Sequence, residues 1–312
     1  MVKKVSNKNG IIELFRFLCS VWVAYFHGFI PIFSDNFDGV NISVDFFFMV
    51  AGFFFLKSID RFREKPLWQG IRFIVWGRIS RFVAPLIIAA LSVLWCNTMI
   101  EFKSDGFNFP FSFLWFFIAL FSFLSVLFLL YKKIKRIFIF NIVCAVIICL
   151  SMSFHKLGLS GIDIFARGPA MVTIGILISQ IPQIKVISRN EIKSRNYSLI
   201  INAICFGISL AAFLYLAYLP EFTIWKLHLF TCVVCPMFIY FAVTLPIHGK
   251  FFNFLGECSI YIYLAQCPLL LHYYYLNQSV KEYFIWLCIY AVAMFVINRI
   301  VNYIIKKRKA IV

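Results

Sequence analysis

Ten apolar runs, most of them about twenty residues long, restrict the fold of this chain more than any other feature. A helix of about 20 apolar residues spans the hydrocarbon core of a bilayer. Backbone polar groups inside lipid must be satisfied within the segment, which a helix does. The sequence therefore predicts an all-α, polytopic transmembrane helical bundle of about ten spans, at residues 11–33, 42–56, 82–100, 111–130, 137–152, 164–181, 197–219, 227–247, 251–276 and 283–305.

The composition leads to the same fold class. Hydrophobic residues make up 62% of the chain and charged residues 14%, whereas a soluble domain is about half apolar and a quarter charged. No polar stretch is long enough for a separate soluble domain, so residues 1–312 are predicted to form a single integral membrane domain. A cleavable signal peptide is not expected, because Glu13 and Arg16 interrupt the first apolar run.

The net charge of +17 is explained by membrane topology. If alternate connecting segments are assigned to the cytoplasm, beginning with the N-terminus, most of the 30 lysines and arginines fall on the cytoplasmic side. Positive residues are retained on that side, so both termini are predicted to be cytoplasmic. The basic charge therefore does not indicate a nucleic-acid partner, although a basic face can also attract a polyanionic cofactor.

The cysteines and histidines do not form a recognisable metal site. All ten cysteines lie in apolar runs, where cysteine is commonly a packing residue. Cys232 and Cys235 have the C-x-x-C spacing, but no second pair or nearby histidine completes a ligand set. We therefore expect no metal.

The first apolar run contains three ionisable residues, which are costly in hydrocarbon and need a partner, a cavity or a function. Arg16 and His27 are eleven residues apart, so they project from nearly the same helix face, about 16 Å apart along the axis. Their side chains can contact the two ends of one extended ligand. Glu13 is at a spacing that allows contact with Arg16. The alternatives are that Glu13 and Arg16 only neutralise each other and that His27 is a hydrogen-bonded packing residue.

The second run supplies a carboxylate at a depth similar to that of His27. Asp45 beside an imidazole would orient the ring and raise its pKa; alternatively, it caps the helix end. Gly52 in the same run allows close packing of helices.

These residues resemble the acyltransferase-3 family of integral membrane acyltransferases. The likeness begins with the Arg16-x10-His27 pair after "ELFRF" and with "VDFFFMVAGFFF", in which Ala51 stands where serine is usual. It continues with "GRISRFVAP", where Arg78 and Arg81 match an R-x-x-R stretch that enters the third helix.

The fourth match is "FLGECSIYIYLAQCPLL", which is similar to a late segment of the family. Gln266 occupies the position where the family usually has a second histidine. Glutamine can donate and accept hydrogen bonds but cannot titrate near neutral pH. We expect Gln266 to bind or orient a group, with Glu13, Ser259 and Tyr261 as further substrate-binding or structural support.

The resemblance implies a membrane enzyme that moves an acyl group, most commonly acetyl from acetyl-coenzyme A, to a hydroxyl of a glycan or envelope precursor. Arg78, Arg81 and Arg16 are then the expected donor-binding residues, because guanidinium groups bind phosphates through charge-assisted hydrogen bonds. His27 is the expected general base, or a nucleophile that carries the acyl group, and Arg16 and Asp45 assist it.

The expected partners are acyl-coenzyme A, a glycan or glycolipid acceptor and the bilayer, in the inner or plasma membrane of a bacterium. Two alternatives remain open: a transporter or flippase for an envelope lipid or glycan, and a non-catalytic relative of the family. A transporter would ordinarily show matching halves or paired discontinuous helices, and none is evident here. The sequence leaves the acceptor, the acyl group, the side of modification and the oligomeric state open.

Overall fold

The computed structural model describes residues 8–29, 39–99, 115–155, 163–182, 191–218, 224–276 and 279–311. These residues are mostly helical, and no strand occurs among them. The helices are α1 (Gly10–Phe29), α2 (Gly39–Phe53), α3 (Phe55–Ile59), α4 (Leu67–Ile79), α5 (Val83–Met99), α6 (Trp115–Lys133), α7 (Ile137–His155), α8 (Asp163–Ser179), α9 (Glu191–Tyr218), α10 (Ile224–Leu229), α11 (Cys235–Thr244), α12 (Lys250–Leu276) and α13 (Val280–Ile311). The prediction of an all-α chain is confirmed for this part of the sequence.

The described part of every apolar run predicted from the sequence is largely helical. Length and composition together identify three described helices that can cross a membrane, within α6, α9 and α13. The number rises to five if the bent pairs α2–α3 and α4–α5 each count as one span. The structure thus supports a membrane protein, while the count of ten spans and the cytoplasmic position of both termini remain predictions.

Two of the helical segments are sharply bent. The axes of α2 and the short helical stretch up to Phe62 differ by 45°, and those of α4 and α5 differ by 67°. The second bend precedes Pro85, which lacks an N–H group and whose ring would collide with the carbonyl of Arg81 in a continuous helix. The sequence assigned residues 57–81 to a connecting segment, and the structure shows that much of it is the helix α4.

Close backbone contact joins α2 to α8. A Cβ atom on Gly52 would lie 2.0 Å from the carbonyl oxygen of Val172, and one on Gly175 would lie 2.1 Å from that of Met49. Only glycine permits such an approach, as in other membrane helix pairs. The prediction that Gly52 allows close helix packing is confirmed.

Aromatic side chains fill the centre of the bundle. The rings of Phe15, Phe46, Phe213 and Phe238 pack against one another with centroid separations of 4.4–6.4 Å. These residues come from α1, α2, α9 and α11, so the cluster joins the first helix to late parts of the chain. It lies beside the face of α1 that carries the predicted site residues.

Candidate functional site

A cavity of about 640 Å³ lies between α1, α2, α6, α12 and the connection from α4 to α5. It is lined by several of the residues that the sequence singled out, namely Arg16, Ala51, Arg78, Arg81, Ser259 and Tyr261. These positions are distributed from the first helix to the twelfth. The fold therefore brings four separate sequence motifs to one space.

One part of the cavity is strongly basic. Lys8 contributes to its lining together with Arg16, Arg78 and Arg81. Arg16, Arg78 and Arg81 line the same cavity, and the positive charges of Arg16 and Arg81 act on the half-buried guanidinium of Arg78. Glu257 also lines the cavity, and its carboxylate accepts a hydrogen bond from Arg299 at 2.7 Å. Neighbouring like charges favour the binding of an anion.

Glu13 fixes the position of Arg16. The Arg16 guanidinium donates to both carboxylate oxygens of Glu13, at 3.1 and 3.2 Å. The Nζ atom of Lys8 lies 3.9 Å from the same carboxylate. Glu13 is buried against Gly256, where a Cβ atom would come within 1.7 Å of Oε2. The predicted pairing of Glu13 with Arg16 is present, and the missing side chain of Gly256 makes space for it.

Aromatic rings form the apolar walls of the cavity. Phe116 stands 6.1 Å from Phe47 and 5.8 Å from Tyr263 between ring centroids. Phe117 meets Tyr263 edge-on at 5.4 Å and lies 5.7 Å from Phe82. The rings come from three helices and the α4–α5 connection, so the wall holds these elements in a fixed arrangement.

The face of α1 that lines the cavity follows a helical period. Arg16, Ser20 and Val23 all contribute to the lining, and the hydroxyl of Ser20 donates to the Arg16 carbonyl at 2.9 Å. The next position on this stripe is 27, and α1 remains helical to Phe29. The side chain of His27 lies outside the part of the chain that the structure describes, so its predicted role stays a prediction.

Asp45 belongs to a second buried polar cluster. Its carboxylate forms an ion pair with Arg167 of α8 and accepts a hydrogen bond from the hydroxyl of Thr231 at 3.3 Å. All three side chains are buried. Asp45 is the seventh residue of α2, so it does not cap the start of that helix. Arg167 is thus a partner of Asp45, while an interaction of Asp45 with His27 stays a prediction.

The polar residues of the fourth motif, "FLGECSIYIYLAQCPLL", lie in two different environments. Ser259 lines the cavity, and its hydroxyl donates to the carbonyl of Gly256 at 2.8 Å. Tyr261 also lines it and accepts a hydrogen bond from Asn298 at 2.7 Å. Gln266 is buried, and its Oε1 atom has no hydrogen-bond partner among the described residues. Gln266 is not part of the cavity lining.

Asn298 is a residue that the sequence reading missed. Its side-chain amide donates to the hydroxyl of Tyr261 and, at 3.0 Å, to the backbone carbonyl of Arg81. It therefore links α13 to two residues that line the cavity. An asparagine within an apolar run is a signal that sequence analysis can detect, whereas its burial and its partners depend on the packing of α13.

The described residues contain no group of three or more histidine, cysteine, aspartate or glutamate side chains arranged to hold a metal ion. The polar groups that line the cavity are instead guanidinium, ammonium and hydroxyl groups and the carboxylate of Glu257, which is paired with Arg299, beside aromatic rings. Their chemistry suits an anionic organic molecule with an extended apolar portion.

A family model described as "Acyltransferase domain" matches residues 9–302, nearly the whole chain. No curated protein and no solved structure matches the chain. The matched residues include all four motifs and every cavity-lining residue except Lys8. Because the match covers far more than half of the sequence, the chain belongs to the acyltransferase-3 family of membrane acyltransferases.

Proposed function

We propose that the protein is an O-acyltransferase of the inner or plasma membrane. It moves an acyl group, acetyl in the first instance, from acyl-coenzyme A to a hydroxyl of a surface glycan or envelope precursor. The observation that carries this proposal is the convergence of Arg16, Arg78 and Arg81 on one aromatic-walled cavity. The family supplies the reaction class.

The basic end of the cavity suits the phosphate groups of coenzyme A. Guanidinium groups bind phosphate in a bidentate manner, and three of them line this cavity. A polyanion relieves the repulsion between these arginines, so its binding is favoured by more than the individual contacts. In this proposal Arg78 and Arg81 hold the phosphates, with Lys8 adding a fourth positive charge.

The aromatic part of the cavity suits the thioester end of the donor. The rings of Phe47, Phe116, Phe117 and Tyr263 are apolar surfaces that restrict the access of water. Protection from water favours transfer of the acyl group over hydrolysis of the thioester. Arg16, held by Glu13, is positioned to contact the donor arm or polarise its carbonyl.

The chemical step proposed for His27 is general-base catalysis. His27 takes the proton of the acceptor hydroxyl as the hydroxyl oxygen attacks the thioester carbonyl. The new C–O bond forms, the C–S bond breaks, and the departing coenzyme A sulfur receives the proton. Position 27 continues the stripe of Arg16, Ser20 and Val23, so donor and acceptor would meet along one face of α1. Asp45 would orient His27, and Gln266 would supply a hydrogen-bonding group.

The decisive experiment follows acetyl-coenzyme A labelled in its acyl group in membranes that contain the protein. We expect label to move from the thioester to an extractable glycan or glycolipid with the native chain and not with His27→Ala. Folding of the variant is checked by its elution and thermal unfolding in detergent. Transfer by a folded His27→Ala protein removes the proposed base. No transfer by the native protein with plausible acceptors present favours a transporter or a non-catalytic relative.

The donor site has its own test. Arg78→Gln and Arg81→Gln should each weaken acetyl-coenzyme A binding by about tenfold or more, because a hydrogen bond to a charged group contributes about 1.5–3 kcal/mol. The rate at saturating donor should fall much less. Arg136→Gln is the matched control, since Arg136 is exposed between α6 and α7 and does not line the cavity. Unchanged donor affinity in both variants contradicts the assigned role.

A further inference from the structure

The helix α4 presents a buried stripe to the rest of the protein. Gly70 and Ile74 are buried, and a Cβ atom on Gly70 would collide with the ring of Phe128 in α6. Arg78, one further turn along, lines the cavity. These three positions are spaced by four residues and so share one side of the helix. The packing of α4 therefore fixes which of its sides is turned away from the protein.

The opposite side of α4 carries two exposed tryptophans with an exposed arginine between them. Trp68 is 57% exposed, Trp76 is 55% exposed, and Arg72 lies midway between them. These positions are also spaced by four residues and are offset from the buried stripe by about half a turn. Tryptophan is enriched where a bilayer meets water, because its ring is apolar and its N–H group is polar. Exposure of two such rings on one face indicates a membrane surface.

The spacing of the tryptophans restricts the direction of the helix. Trp68 and Trp76 are eight residues apart, which is about 12 Å along a helix axis. Each headgroup region of a bilayer is only about 5–7 Å thick. If α4 stood along the membrane normal, one ring would leave this layer. Both rings reach it when the axis lies close to the membrane plane.

The bend into α5 agrees with this direction. The axis turns by 67° between α4 and α5, so one of the two can lie along the surface while the other crosses the bilayer. The stretch from Val83 to Leu94 contains no charged residue, and Ile87 and Leu91 are exposed on its surface. These properties suit contact with lipid chains.

The surroundings of α4 are basic. The residues from Lys57 to Arg72 include five lysines and arginines and two acidic residues, so this surface carries a positive charge. The Arg61 guanidinium lies over the ring of Phe73, the neighbour of Arg72, at 4.7 Å. Basic segments beside a membrane attract anionic lipids, with about 1 kcal/mol for each lysine or arginine near the surface.

We propose that α4 is an interfacial helix that lies in the headgroup layer of the membrane, with Trp68 and Trp76 at one depth and Arg72 bound to the phosphate of an anionic phospholipid. The bilayer segment of this part of the chain then begins at α5. Such an anchor holds Arg78 and Arg81 at the membrane surface, at the basic end of the cavity. The proposal rests on packing, spacing and charge, and it stands whether or not the protein transfers acyl groups.

The depth of the helix is tested by tryptophan fluorescence of the full chain in lipid nanodiscs. Subtracting the emission of Trp68→Phe or Trp76→Phe from that of the native protein isolates one of the seven tryptophans at a time. The lipids are brominated either near the carbonyl end or near the end of the acyl chain. We expect both tryptophans to be quenched more strongly by the shallow bromine. A shallow and a deep tryptophan, two deep ones, or no quenching of either overturns the interfacial helix.

Tyrosine variants at the same two positions provide a second difference measurement if a phenylalanine variant does not fold. Folding is checked by thermal unfolding in detergent, where exposed side chains are expected to have little effect. The same comparison of shallow and deep bromine then applies to each position.

The lipid charge is tested with the same signal. A small fraction of shallow-brominated phosphatidylglycerol is compared with an equal fraction of shallow-brominated phosphatidylcholine in a phosphatidylcholine bilayer. The anionic lipid should be enriched about fivefold around Trp68 and Trp76, because the attraction of about 1 kcal/mol from one basic residue near the surface corresponds to that ratio. Arg72→Gln should reduce the enrichment, and Arg72→Lys should retain it. Equal quenching by the two lipids in the native protein, or undiminished enrichment in Arg72→Gln, contradicts the role of Arg72.

Discussion

Asp45 and Arg167 place two opposite charges inside the bundle, where each depends on the other. The carboxylate is shared between Arg167 and the hydroxyl of Thr231, so the cluster links α2, α8 and the π-helical segment Phe230–Val234. An ionised group in a medium of low dielectric constant is costly unless it is paired. The Nε atom of Arg167 is buried without a hydrogen-bond partner among the described residues. The pair therefore fixes the position of Asp45 at the expense of an imperfectly satisfied guanidinium.

We predict that Arg167→Met lowers the free energy of unfolding by about 3–5 kcal/mol, because it removes the positive charge that forms a buried ion pair with Asp45. The measurement is thermal unfolding of the purified protein in detergent. Arg299→Met is the matched control, because Arg299 and its partner Glu257 are both exposed and such a pair contributes about 0–1 kcal/mol.

Removing both charges tests the reason for this loss. The double variant Asp45→Asn/Arg167→Met removes both charges of the pair and should be more stable than Arg167→Met alone. The single variant Asp45→Asn is measured as well. If the double variant loses as much unfolding free energy as Asp45→Asn and Arg167→Met lose together, packing rather than charge pairing sets the stability here.

Asn298 is the residue through which α13 acts on the cavity. Its amide holds the Tyr261 hydroxyl and the Arg81 carbonyl, and each hydrogen bond contributes about 1 kcal/mol. We predict that Asn298→Ala raises the KM for acetyl-coenzyme A by about 5- to 30-fold with a smaller effect on kcat, because Arg81 and Tyr261 lose a common support.

Steady-state kinetics in detergent measure the two constants separately. Asn202→Ala is the control, since Asn202 is a buried asparagine in α9 that does not line the cavity. Equal losses in KM and kcat for both asparagine variants would indicate a general structural role and contradict a specific link between Asn298 and the donor site.

At the scale of elements, the pairing of α2 with α8 depends on two glycines that allow backbone contact. We predict that Gly52→Ala lowers the free energy of unfolding by about 3 kcal/mol or more, because the new methyl group would overlap the backbone of Val172. Thermal unfolding in detergent gives the change. Gly207→Ala in α9 is the control, because nothing lies within 4 Å of the added atom.

The control should leave stability unchanged or raise it by about 0.5–1 kcal/mol, because alanine restricts the unfolded chain and favours helix. If Gly52→Ala behaved like Gly207→Ala, the purified protein would not contain the close contact of α2 with α8.

The bends show how local sequence and packing share the control of an element. Pro85 explains why α4 and α5 are separate helices, since its ring cannot follow Arg81 in a continuous helix. It does not set the angle of 67° between them. The contact of Gly70 with Phe128 sets the direction of α4, and the packing of α5 on α12 and α13 sets the direction of α5. The angle between the two helices follows from these contacts.

At the scale of the whole molecule, the distribution of basic residues predicts the orientation in the membrane. We predict that reporters fused to the N-terminus and to the C-terminus both read as cytoplasmic, because lysine and arginine are retained on that side. Alkaline phosphatase and green fluorescent protein fusions distinguish the two sides. Termini on opposite sides would require an odd number of crossings and would exclude a ten-span arrangement.

The helical class and three of the basic residues of the cavity were accessible from the sequence, because both depend on strong local signals. Runs of apolar residues predict helices wherever they occur, and Arg16, Arg78 and Arg81 stood out as charges in or beside such runs. Lys8 and Asn298 were not identified as site residues, although the sequence shows both as polar residues beside or within apolar runs. Their importance lies in partners that are up to hundreds of residues away in the chain, such as Arg81 for Asn298.

The sequence by itself determined that this chain is helical and suited to a membrane, because hydrophobicity and the need to satisfy backbone groups act locally. It also showed which ionisable residues lie in apolar runs and therefore need a partner, a cavity or a function. Only the tertiary structure decided that Arg16, Arg78 and Arg81 share one cavity and that Arg167 is a partner of Asp45. The reason is physical. A charged residue in an apolar helix needs a partner whatever the fold, because an unpaired charge is costly there. Which residue becomes that partner depends on how the helices pack, through contacts such as that of Gly52 with Val172.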